Sequence, residues 1–125
     1  MGIASLDHVN LRTTRLDEMI EWYGDVLGMA VGPRPPFPFP GAWLYAGERA
    51  CVHLVGVEAE ATGSETELKL EHFAFSANGL DRFEAHLETS GISYRRVDVP
   101  AVNVIQVNVW DPDGNHIHID FPSDE

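Results

Sequence analysis

Histidine is the residue type in this chain with the most chemistry to offer, and four of its six histidines fall into two related pairs. His8 closes Leu6-Asp7-His8 and His72 closes Leu70-Glu71-His72, 64 residues further on; Leu16-Asp17 and Leu80-Asp81 repeat at the same offset. His53, in Cys51-Val52-His53-Leu54, is followed 65 residues later by His118, in His116-Ile117-His118-Ile119. Neutral imidazole is a ligand for zinc, nickel, cobalt, iron and copper. A duplicated half-domain that sets a histidine at each equivalent position therefore predicts a pseudo-symmetric metal site. His86 falls late in a helical stretch, where a partial positive charge is favourable, and is read as structural.

The elements that must position these residues alternate between strand and helix. His8-Val9-Asn10-Leu11-Arg12 alternates polar and apolar, as a strand does. Thr13 or Thr14 can cap a helix from about Arg15 to Leu27, whose Leu16, Met19, Ile20, Tyr23, Val26 and Leu27 share one face, and Gly28 stops it. A short strand at Met29 to Gly32 leads into Pro33-Arg34-Pro35-Pro36-Phe37-Pro38-Phe39-Pro40-Gly41, which can be neither helix nor central strand. Strands at Ala42 to Ala46 and Ala50 to Val55 complete a first module over residues 1–57. A linker, 58–67, precedes a second module, 68–125. There a strand from Leu68 to Ala77, a helix from Leu80 to Ser90, and strands at Ser93–Val97, Val102–Trp110 and Asn115–Phe121 repeat the order. The expected class is α+β: two βαβββ modules forming a curved eight-stranded cup with helices outside, within a single domain.

Strand parity then sorts the side chains, because residues two apart share a face. His8, Asn10 and Arg12 project together, and so do His116, His118 and Asp120. Their opposite faces (Val9 and Leu11; Val52 and Leu54; Ile117, Ile119 and Phe121) are apolar and need the helices as cover. The histidine faces are thereby expected to line the concave side. His116 is placed to contact substrate or replace a ligand, and Asp120 to act as carboxylate ligand or base. Trp43, Tyr45, Asn108 and Trp110 have the parity to bound an aromatic pocket, and Arg12 to anchor an anionic group. Phe37 and Phe39 are the expected specificity element, facing either substrate or a second subunit.

Composition excludes several function classes. With 20 acidic against 8 basic side chains the formal net charge is −12, which repels phosphate backbones, so nucleic acid is not an expected partner. No run approaches the roughly 18–20 apolar residues that a membrane span needs. The N-terminus has no basic region ahead of an apolar stretch, so no signal peptide is expected. Cys51, the sole cysteine, points to a reducing, cytoplasmic location. The acidic tracts, including Ser123-Asp124-Glu125, read as solvated surface.

Leu6-Asp7-His8-Val9-Asn10-Leu11 with Trp22-Tyr23-Gly24-Asp25-Val26-Leu27-Gly28-Met29 resembles the opening of the vicinal oxygen chelate superfamily. That superfamily includes glyoxalase I, extradiol dioxygenases, methylmalonyl-CoA epimerase, and fosfomycin and bleomycin resistance proteins. Val109-Trp110-Asp111-Pro112-Asp113-Gly114-Asn115 and the strand after it resemble its last hairpin. The resemblance implies one divalent metal ion (Ni, Zn, Co, Fe or Mn) held by His8, His53, His72 and His118. It also implies a small-molecule substrate and a homodimer. Histidine stands at His53 and His118 where glyoxalase I-like members keep a glutamate, so the proton-moving carboxylate of that chemistry is missing; His118 and Asp120 are the residues left to serve. The reading that follows is a metal-dependent glyoxalase-like lyase or isomerase acting on a metabolite bound through vicinal oxygens. The alternatives are an iron-dependent, extradiol-type dioxygenase, and a metal-free binding protein of the bleomycin-resistance kind.

Overall fold

The computed structural model describes residues 1–2, 5–59 and 70–125. The chain divides into two units, Met1–Ser64 and Glu65–Glu125, and each repeats one order of elements. The first holds β1 (Val9–Thr13), α1 (Leu16–Leu27), β2 (Ala30–Gly32), β3 (Gly41–Ala46) and β4 (Arg49–Gly56). The second holds β5 (Phe73–Ser76), α2 (Leu80–Thr89), β6 (Arg95–Val99), a 3-10 turn at Pro100–Val102, β7 (Val104–Trp110) and β8 (His116–Pro122). The sheets have equivalent orders, β1-β4-β3-β2 and β5-β8-β7-β6. In each, the first strand runs parallel to the last while the other neighbours are antiparallel. The class is α+β, built from two βαβββ modules.

Alternation along the strands decides which face is buried. In the first module Ala42, Leu44, Val52 and Leu54 are buried, as are Met19, Tyr23 and Val26 on the apolar face of α1. In the second, Ile105, Val107, Val109, Ile117, Ile119 and Phe121 form the equivalent layer, and Phe83 of α2 sets its ring 5.6 Å from that of Phe121. Each such side chain removed from water contributes about 1.5–3 kcal/mol, so the apolar layers fix which face is left for the histidines. Parity does the rest: the register Asn10↔His53↔Trp43 in one sheet and Ala74↔His118↔Asn108 in the other puts each histidine on the opposite face.

Several elements differ in extent from expectation. β5 opens at Phe73 rather than Leu68, because its ladder with β8 begins at Phe73↔Ile117, just past the turn that precedes β8; residues 68 and 69 lie outside the described residues. Most of the expected linker lies outside them too. α1 opens at Leu16, and Thr13 acts one step earlier, its Oγ1 accepting the Arg15 N–H at 2.9 Å. Leu44 pairs with Val52 but Tyr45 with Ala50, leaving Cys51 as the extra residue of a β-bulge. The acidic tail does more than face solvent: the Glu125 carboxylate accepts the N–H groups of Gly79 at 3.0 Å and Leu80 at 2.7 Å, satisfying donors at the start of α2. Among the described residues no helix is long and apolar enough to cross a membrane.

Candidate metal and substrate site

In the first module the two histidines meet face to face. His8, one residue ahead of β1, stacks on His53 of β4 with ring centroids 3.9 Å apart, and Trp43 of β3 stacks on the other face of His53 at 4.1 Å. One nitrogen of each imidazole is held by an acceptor. His8 Nδ1 donates to Asp7 Oδ2 at 2.7 Å, and His53 Nε2 donates to the Ala50 carbonyl at 2.9 Å, beside the bulge. A neutral imidazole carries a single proton, so these bonds leave His8 Nε2 and His53 Nδ1 as the lone-pair nitrogens. Burial pushes the His53 imidazole below its usual pKa, which keeps it in the neutral, metal-binding form. The hydrogen bond from His8 holds the Asp7 carboxyl below the ordinary carboxylate range.

Beside this pair lies a cavity of about 620 Å³ walled by Phe37, Phe39 and Trp43, with Asn10, Asp7, Glu48, Arg49 and Ala50 around it and both histidines in its lining. The proline-rich loop is held in place by Arg34. Its guanidinium lies 5.1 and 5.2 Å from the ring centres of Phe37 and Phe39, and its Nη2 donates to the Phe39 carbonyl at 2.9 Å. Those two rings stack at 5.1 Å. The loop ends where β3 opens at Gly41; a Cβ there would stand 2.4 Å from the Leu54 carbonyl oxygen of β4, so only glycine fits. Tyr45, expected in the pocket wall, instead donates its hydroxyl to the Pro33 carbonyl at 2.6 Å and pins the start of the loop. Arg12 is exposed and is not among the residues around this cavity.

The second module repeats the pair in a more polar setting. His72, just ahead of β5, and His118 of β8 have ring centroids 4.2 Å apart. His72 Nδ1 is hydrogen-bonded to Glu71 Oε2, and His118 Nδ1 donates to Asp120 Oδ1 at 2.6 Å, leaving Nε2 of each ring as the lone-pair nitrogen. A third imidazole joins them. His116 stacks on Trp110 at 5.0 Å, and its Nε2 donates to Asn108 Oδ1 at 2.7 Å; the amide of buried Asn108 is oriented by its own donation to the Arg95 carbonyl. Asn108 is thus a clamp on His116 before it is anything else. Burial lowers the His116 pKa, whereas the hydrogen bond from His72 holds the Glu71 carboxyl below its ordinary range.

Glu71, Asp7, the Ala50 carbonyl, Arg34 and Arg49 were not singled out by the sequence reading. A usable signal existed for two of them: the acids directly before His8 and His72 are themselves repeat-equivalent.

A family model described as the Glyoxalase/Bleomycin resistance protein/Dioxygenase superfamily matches residues 5–119. The chain belongs to this superfamily. A curated relative, Glyoxylase I 4 of Arabidopsis thaliana, is 34% identical over 125 residues, covering 95% of this chain and 71% of that protein. A glyoxalase family protein from Bacillus anthracis superposes with a TM-score of 0.79 at 25% identity, over 98% of each chain. A lactoylglutathione lyase from Agrobacterium tumefaciens shares the fold, with a TM-score of 0.73 at 19% identity over 98% of this chain and 97% of its own.

Proposed function

We propose that the protein is a metal-dependent, glyoxalase-like lyase or isomerase, acting on a small metabolite that presents two adjacent oxygens to one divalent ion. His8, His53, His72 and His118 would hold that ion. The observation that carries the reading is the arrangement of these rings: each has one nitrogen engaged by an acceptor, so the neutral form of each turns its other nitrogen to coordination. Ligating histidines are oriented in this way by carboxylates and backbone carbonyls. The donor set therefore fits zinc, nickel, cobalt or iron.

When bound, a divalent ion of this kind supplies Lewis acidity to two adjacent substrate oxygens. The chain's own residues do the remainder. Asp120 accepts the Nδ1–H of His118, fixing its tautomer, so Nε2 is the atom at which His118, once released from the ion, would take up and return a proton in place of a glutamate. Phe37, Phe39 and Trp43 would cover the apolar part of the substrate, and Asn10 would meet its polar part from the histidine face of β1. The protein would work in the cytoplasm as a homodimer. An iron-dependent dioxygenase is the second reading, favoured by the aromatic walls of the cavity, which suit a flat ring.

The test is elemental analysis of protein purified without an affinity tag, followed by two assays on it. Conversion of α-hydroxycarbonyl or thiohemiacetal substrates without oxygen uptake is the expected result. Oxygen uptake with catechol-type substrates would replace this reading with the second. A protein that retains none of nickel, cobalt, zinc or iron after refolding with each would overturn both.

A further inference from the structure

We propose that the second module carries a divalent-cation site of its own, formed by Glu71, His72 and His116 and distinct from the four-histidine set. One ligand atom from each of the three lies within 4.8 Å of the others. The Glu71 carboxylate sits between two imidazoles: its Oε2 is hydrogen-bonded to His72 Nδ1, and its Oε1 is 3.6 Å from His116 Nδ1.

The protonation of His116 makes this arrangement informative. Asn108 Nδ2 is committed to the Arg95 carbonyl, so its Oδ1 faces His116 and requires a proton on Nε2. Neutral His116 then turns the lone pair of Nδ1 toward an anionic carboxylate. Two electron-rich atoms facing one another at this distance repel, and a cation between them converts the repulsion into coordination. The ring cannot easily turn away, because Asn108 holds one edge and Trp110 stacks on its face at 5.0 Å. A ligating histidine whose other nitrogen donates to a buried acceptor is the arrangement that metal sites use.

Two imidazoles and one carboxylate suit zinc, iron(II) or manganese(II), and they leave positions open for a ligand with two oxygens. This set shares His72 with the four-histidine set, which would use Nε2; here the ion takes the place of the proton between His72 Nδ1 and Glu71 Oε2, and a neutral imidazole has one lone pair to give, so the two sites compete. The three-residue set lets the second module hold an ion without help from the first.

Zinc titration of the full chain carrying His8→Ala and His53→Ala tests the site, with circular dichroism to show that the fold is kept. The double variant is expected to bind one zinc ion per chain. Adding Glu71→Gln or His116→Ala should weaken that binding by about tenfold or more, the scale of losing a partner at a metal site, whereas adding His118→Ala should change it by less than about threefold. The proposal is overturned if the double variant takes up no zinc, or if His118→Ala abolishes binding while Glu71→Gln and His116→Ala leave it unchanged. Should the alanine pair fail to fold, His8→Phe with His53→Phe keeps two rings in the stack without a ligating nitrogen and serves the same test. The four-histidine set is judged separately, on His53→Ala in the otherwise unaltered chain.

Discussion

The two modules share a backbone plan and differ in what surrounds their histidines. In the first, the pair is stacked face to face under Trp43 and beside Phe37 and Phe39, and the ring nitrogen of His53 is tied to a backbone carbonyl at a bulge. In the second, the rings are tilted, a third imidazole is present, and the tying groups are side-chain carboxylates and an amide. The repeat keeps a histidine pair in each module, and the surroundings differ: aromatic rings and a backbone carbonyl in the first, an amide, a third imidazole and a further carboxylate in the second.

The shared plan is tested by matched core deletions. Leu54→Ala in β4 and Ile117→Ala in β8, both at fully buried positions, should each cost about 2–5 kcal/mol by urea unfolding. A loss below about 1 kcal/mol at one site would show that the modules are not packed alike.

The difference between the modules is tested by metal affinity. His72→Ala removes a ring that both cation sets need and should weaken zinc binding by more than about a hundredfold; His8→Ala spares the second-module set and should cost less. Equal losses would remove the asymmetry. Asp120→Ala leaves His118 in place but takes away the acceptor that fixes its tautomer, and should lower zinc affinity by about 10–100-fold. If affinity is unchanged, Asp120 does not orient the ligand.

The smallest effect is on pH dependence, where the modules should behave alike. His53 and His116 each have a pKa lowered by burial from the ordinary 6.5, so the unfolded chain binds protons at these sites before the folded one does. Their contribution to stability is complete above about pH 6.5 and is lost as pH falls toward their folded values. The Tm of metal-free protein should therefore drop between about pH 7.5 and about pH 5.5, and His53→Gln or His116→Gln should each shallow the drop. A Tm that rises on acidification would contradict the assignment.

The histidine faces were legible in the sequence because strand parity is rigid: residues two apart must share a face, and the apolar faces had to take the helices. The bulge at Cys51 was not legible, since an extra residue in a ladder leaves no mark in composition, and it is this bulge that brings the Ala50 carbonyl to His53. Glu71 has only its repeat-equivalence to Asp7 to mark it in the sequence, because the hydrogen bond that gives it a role depends on where β5 begins. Tyr45 had the right parity for the pocket, but the proline-rich loop needed an anchor, and its hydroxyl went to Pro33. Glu125 belonged to a tract that composition marks as solvated; only the fold shows that it closes the start of α2.

X-ray absorption spectroscopy of the zinc-loaded, unaltered chain tests the central claim most directly. The account predicts a first shell containing four imidazole nitrogens at about 2.0–2.1 Å, two from each module. A shell with two imidazoles or fewer would contradict it and show that the paired histidines of the repeat do not serve one ion.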